Sequence, residues 1–178
     1  METSELQSQP GVSRLSVDEL HLLRGLLAFP GEPVRELVQD LATVWDWLAG
    51  AERQLATLGM DEWRAEYRRL FFRGQQAAQC PPFATDYAGP GEEPAWTMVS
   101  LHLRAGFPLT NMPPDYLCAE LNLLAELLES EHDLGPALLG EAWDHLRGWV
   151  PEFAARLERQ AQVELYRGVA RRLLELFV

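Results

Sequence analysis

"PPDYLCAELNLLAELLES", residues 113–130, decides the fold. Leu117, Leu121, Leu124 and Leu128 recur at i, i+4, i+7 and i+11, the spacing of one helical face. Two prolines and an acid open the stretch. Proline is favoured at a first helical position, where its missing N–H costs little. Asp115 then falls in the first turn, favourable against the helix dipole. The spacing predicts a helix over 113–130, with Cys118 as a small core residue.

The same period recurs on both sides. Ser16 and Glu19 form an S-x-x-E capping box, with Leu15 and Leu20 as its hydrophobic staple, so a helix opens at Ser16. "FPGEP" ends it. A second helix is expected from Pro33 to Leu48, its buried stripe Val34, Leu37, Leu41, Val44 and Leu48. Trp47 lies off that stripe, either packed on a neighbouring segment or partly exposed. A third spans Asp61 to Arg73, with Trp63, Tyr67, Leu70 and Phe71 on one face. Pro94 to Arg104 reads as a helix with Trp96, Val99 and Leu103 on one side. Residues 136–149 and 151–160 read as two helices divided at Pro151. The last, 161–177, presents Val163, Tyr166, Ala170, Leu173 and Phe177. No segment holds a period of two. The expectation is an all-α, single-domain helical bundle of about eight or more helices over 15–178. Residues 1–14 are expected to be a disordered tail, and 74–94, rich in proline and glycine, a long loop anchored by Phe83 and Tyr87.

Composition narrows the function. The 178 residues are 47% hydrophobic and 24% charged, as in a soluble globular protein. No apolar run is long enough to span a bilayer. The start, "METSELQSQPG", lacks the basic and apolar regions of a secretory signal, so a cytoplasmic location is expected. With 27 acidic and 15 basic residues, the net charge of -12 repels nucleic acid and anionic lipid and favours a cationic partner. Cys80 and Cys118 make no CxxC pattern and are expected to be free thiols.

Chemical motifs are sparse. None of His21, His102, His132 and His145 sits in a metal-binding spacing. His132, between Glu131 and Asp133, reads as a polar helix end. His145, beside Asp144, reads as part of a solvated helix face. "GPGEEP" lacks the lysine and strand of a phosphate loop. Cys80 has no evident activating base. No enzyme, metal site or cofactor is indicated. Aromatics and prolines gather instead in residues 63–120. With the acidic surface they suit a groove for an apolar, positively charged peptide, although aromatics at these spacings also fill helical cores.

Several stretches then line up in order. "EYRRLFFRG" (66–74), "CPPFATDY" (80–87) and "PPDYLCAELNLLAELL" (113–128) resemble the Glu-Tyr-x-x-Leu-Phe helix, the Pro-Pro-aromatic loop and the Pro-Asp-His-x-x-x-Glu-Leu helix start of the TorD/DmsD/NarJ-type redox-enzyme maturation chaperones. Tyr116 stands where that pattern has histidine, and it does not become cationic near neutral pH. The resemblance implies an all-helical cytoplasmic chaperone without a reaction of its own. Its partner would be the N-terminal, often twin-arginine, signal or tail of a redox-enzyme subunit, held back until a molybdenum-type cofactor is loaded. The alternative is a passive interaction subunit of a larger complex.

On this reading Asp115 and Glu120 supply negative potential near a groove, and Tyr116 an aromatic wall beside Pro114. Tyr67, Leu70 and Phe71 line the groove or set its floor. Pro82, Phe83 and Tyr87 form a loop edge. The alternative reading of Asp115 is a helix N-terminal acid, and Glu120 reads better as a solvated or structural acid.

Overall fold

The computed structural model describes residues 15–74, 77–130 and 135–178. Among these residues the regular structure is helical. The helices are α1 (Val17–Leu26), α2 (Glu32–Leu41), α3 (Ala49–Leu55), α4 (Met60–Phe71), α5 (Pro94–Ala105), α6 (Leu117–Glu129), α7 (Gly135–Gln160) and α8 (Glu164–Phe177). Short 3₁₀ turns occupy Asp46–Leu48 and Ala84–Asp86. Among the described residues there is no β-strand, and an isolated antiparallel bridge pairs Phe83 with Tyr116. The tail 1–14 and the His132 cluster lie outside the described residues.

Local signals place several helix ends. The Ser16 hydroxyl accepts the Glu19 N–H at 3.1 Å, the first half of the capping box. Pro94 sits at the start of α5, and Gly106 ends it at φ +73, a left-handed conformation that a Cβ disfavours. The expected face of α8 holds, with Val163, Tyr166, Ala170, Leu173 and Phe177 all buried.

Three expectations are corrected. The second helix stops at Leu41, not Leu48, because Thr43, Val44 and Trp45 are β-branched or aromatic and Trp45 is extended, at φ -116. Val44 is consequently 70% exposed. Helix α6 begins at Leu117 rather than Pro113, since Pro113–Tyr116 forms a turn closed by the Tyr116 N–H on the Pro113 carbonyl at 3.1 Å. Pro151 lies inside one continuous helix, α7. The carbonyl it leaves unpaired is that of exposed Arg147, where solvent is at hand. On α5 the buried residues are Pro94, Met98, Leu101, His102 and Ala105, so the side expected to carry Trp96, Val99 and Leu103 exists and is the outer one.

The chain divides into two compact units. The first comprises Met1–Arg24, Pro82–Pro151 and Leu176–Val178. Helix α6 runs through its core, with Leu117, Leu121, Leu123 and Leu124 wholly buried and apolar residues on nearly every side. Trp143 stacks on Phe177 there, ring centroids 4.8 Å apart. The second unit comprises Gly25–Pro81 and Glu152–Glu175. Its centre is a fully buried pair in which the Trp63 indole N–H donates to the Tyr166 hydroxyl at 2.9 Å. Trp47, half-buried, lies so close to Gly168 that an added Cβ would meet its ring at 3.0 Å.

Buried Glu66 fastens the turn after α7. Its carboxylate accepts the Gln162 N–H at 2.6 Å and the Arg69 guanidinium at 2.7 Å, while Arg69 also donates to the Gln160 carbonyl at 2.7 Å. Cys80 and Cys118 are both buried free thiols. Burial pushes the Cys80 thiol up to about 11, against the opposing pull of Arg156, Arg69 and Arg159, so it stays protonated and inert near neutral pH.

Replacing Tyr166 with phenylalanine strands the Trp63 N–H in an apolar interior. Thermal or urea unfolding of Tyr166→Phe should show a loss of about 1–3 kcal/mol. An unchanged midpoint would mean that the pair contributes nothing.

Candidate functional site

The site of interest lies in the first unit, where a loop is spliced to the start of a helix. The Ala84 N–H donates to the Asp115 carbonyl at 2.9 Å, and the Leu117 N–H donates to the Pro82 carbonyl at 2.9 Å. The second bond satisfies one of the N–H groups that a helix start leaves unpaired, which the Tyr116 side chain does not do. The Asp115 carboxylate, 7% exposed, accepts the Thr85 hydroxyl at 2.5 Å and the Thr85 N–H at 3.3 Å. Asp115 is therefore committed to holding the loop rather than standing in the first turn of α6. Half-buried Phe83 and Tyr116 face each other across the splice at 5.4 Å.

One turn on, Glu120 is wholly buried and structural. Its two oxygens contact the His145 Nε2 at 3.0 Å and accept the Trp149 indole N–H at 2.9 Å. Half-buried His145 is thus a partner of a buried acid, which corrects its reading as part of a solvated face. Burial raises the Glu120 carboxyl, the His145 and Trp149 bonds pull it back, and the Asp115 charge pushes it up again. Tyr87 stacks on Trp149 at 5.5 Å, which carries the packing outward to the surface.

Two clefts open beside this framework. One, of about 440 Å³, is lined by Thr85, Pro94, Trp96, Val99 and Pro114, with Glu92 and Glu93 on its rim. Trp96 is 68% exposed and Leu103, two turns on, 67%. The other, of about 340 Å³, is lined by Tyr87, Trp149, His145 and Asp144, and shares Glu92, Glu93 and Pro94 with the first. Aromatic walls with carboxylates at the edge can take an apolar segment carrying positive charge.

Of the residues singled out in the sequence, Pro82, Phe83, Tyr87, Pro114, Asp115, Tyr116 and Glu120 come together in this unit. Tyr67, Leu70 and Phe71 belong to the second. There the Tyr67 hydroxyl donates to the Leu27 carbonyl at 3.2 Å, Leu70 is fully buried, and Phe71 meets Tyr67 edge-on at 5.1 Å. Sequence reasoning passed over Thr85, Glu92, Glu93 and Trp149, and read His145 as solvated. A signal existed for the last two: Glu120 lies within the apolar arc of α6, and a buried acid requires partners. Among the described residues, no group of three or more His, Cys, Asp or Glu is placed to hold a metal, and no helix is long and apolar enough to cross a membrane.

An apolar groove with an acidic rim on an all-helical framework suits the binding of an apolar, cationic segment. The sequence profile of the nitrate reductase delta subunit family matches residues 31–155, and the chain belongs to that family, the TorD/DmsD/NarJ-type chaperones of redox-enzyme maturation. In fold it is similar to a crystal structure from Archaeoglobus fulgidus described as a redox enzyme maturation protein. That likeness has a TM-score of 0.65 at 19% identity, covering 90% of this chain and 93% of the other. No curated protein matches significantly.

Because burial raises the Glu120 carboxyl, the folded state holds that proton more tightly than the unfolded chain. Its contribution to stability is fully present below the ordinary carboxylate range and is lost as pH rises through the raised value. The melting temperature of the wild type minus that of Glu120→Gln should therefore fall as pH rises from acid towards neutral. A flat or rising difference would contradict the assignment.

Proposed function

We propose that this protein binds the N-terminal signal or tail of a redox-enzyme subunit, in the cytoplasm, while cofactor insertion and assembly are completed. The client class best suited is a molybdoenzyme subunit with a twin-arginine export signal, which joins a cationic pair to an apolar stretch. Family membership supports the client class. The observation that carries the reading is the open groove beside Trp96, with Glu92 and Glu93 on its rim.

The division of labour follows from the chemistry. The apolar part of the segment would cover Trp96, Val99 and Pro114, gaining roughly 25 cal/mol per Å² buried before ordering costs are met. The cationic part would lie against Glu92, Glu93 and, in the adjoining cleft, Asp144. A net charge of -12 would speed encounter with a cationic segment more than it deepens final affinity. Tyr116 offers this segment an aromatic edge without the charge that a histidine would gain in mild acid.

Titration with the signal peptide of a candidate client, followed by calorimetry, tests the reading. Trp96→Ala should weaken binding on the order of tenfold or more, as for an exposed aromatic anchor, and leave the melting temperature unchanged. Replacing Glu92 and Glu93 together with glutamine should slow association and flatten its salt dependence. Tight binding that ignores all three changes would remove the groove from the account. No saturable binding of any free signal peptide would favour a passive subunit of a larger complex.

A further inference from the structure

The second unit carries a surface of the opposite character, on the outer side of α4. All 15 basic residues of the chain are arginines, and Arg64, Arg68 and Arg69 lie on this helix with Arg73 just beyond it. Arg69 is committed to Glu66 and the turn after α7. Arg64 and Arg68 are different. Among the described residues neither forms an ion pair, although the chain has 27 carboxylates to choose from. Asp61 and Glu62, in the first turn of the same helix, leave them unpaired.

Both guanidinium groups are held over one aromatic ring. Arg64 lies 5.8 Å and Arg68 5.6 Å from the centroid of Phe29, which is itself 48% exposed. The Arg64 Nε donates to the Pro30 carbonyl at 3.2 Å, leaving its terminal nitrogens for another acceptor. Cations four residues apart on one helical face repel, so the arrangement is unfavourable until an anion lies between them. Stacking on Phe29 orders both side chains in advance, which lowers the entropy lost when a carboxylate is bound by the guanidinium fork.

Apolar surface continues from the pair. Phe72, at the end of α4, is 61% exposed. It shares with Arg68 a cleft of about 430 Å³ that Ala65, Ala77 and Gln79 also line. A partner for this face needs carboxylates at the Arg64–Arg68 end and apolar side chains at the Phe72 end. A long polyanion such as nucleic acid meets the repulsion of a chain with net charge -12. A short protein segment does not suffer that penalty to the same degree.

We infer that the Phe29–Arg64–Arg68–Phe72 face of α4 is a second docking surface, which takes an acidic, apolar segment of a partner protein through carboxylate–guanidinium bonds. Its chemistry is complementary to an acidic sequence, whereas the Trp96 groove suits a cationic one. The two surfaces are therefore separable by experiment.

The probe is a synthetic peptide alternating glutamate with leucine and phenylalanine, titrated into the full chain by calorimetry. Saturable binding is expected, weakened on the order of tenfold in Arg64→Gln/Arg68→Gln, with lesser losses in Arg68→Lys, which keeps the charge but not the fork. Phe29→Ala should also weaken it, and Trp96→Ala should not. The same peptide with glutamine for glutamate should bind at least as poorly as the acidic peptide binds the double variant. Four results would overturn the inference: no saturable binding, equal binding by the glutamine peptide, equal binding to the arginine and phenylalanine variants, or displacement of the peptide by millimolar inorganic phosphate with phosphate itself binding at Arg64 and Arg68.

Discussion

The splice between residues 82–85 and 115–117 is the constraint on which the candidate site depends. Two backbone hydrogen bonds, Ala84 to Asp115 and Leu117 to Pro82, set the loop against the first turn of α6. The Asp115 carboxylate fixes Thr85 beside them. Thr85 and Pro114, which flank the splice, are lining residues of the Trp96 groove. A buried acid with satisfied acceptors thereby positions an open apolar surface. Pro114 suits this arrangement because it stands second in the Pro113–Tyr116 turn, where its fixed φ fits, and Tyr116 is extended before the helix begins.

Two inversions of the usual distribution of residues mark this region. Glu120 is an acid and wholly buried, whereas Trp96 and Leu103 are large, apolar and exposed. The first is tolerable because His145 and Trp149 reach both carboxylate oxygens. The second has no such compensation within the first unit. Helix α5 carries two apolar stripes and buries only that of Met98, Leu101 and Ala105. An apolar stripe left in water beside carboxylates is the feature on which the proposed client binding rests.

Much of the fold was legible from the period of the leucines. Helix α8 and the Ser16 cap follow from local rules, because the decisive residues lie within a turn or two of one another. Family resemblance rested on the order of short motifs, and its reading of an all-helical chaperone holds. What was not legible was tertiary in origin. Periodicity cannot say which of the two stripes on α5 faces inward, since both repeat at helical spacing. Nor does it reveal that Asp115 bonds Thr85, thirty positions away, or that Glu120 bonds His145 and Trp149. Pro151 misled for the converse reason: its local cost was real, but α7 continues past it on the strength of buried residues such as Val150, Phe153 and Ala154. Tyr67, Leu70 and Phe71 share a face as the spacing predicts, yet that face serves the interior of the second unit.

The central claim is that a client's N-terminal segment occupies the groove beside Trp96. Backbone hydrogen exchange, measured by mass spectrometry with and without a saturating signal peptide, addresses it most directly. The account predicts new protection over residues 84–99 and around Pro114–Tyr116, with little change on α4. Protection confined to α4, or none despite saturation, would contradict it.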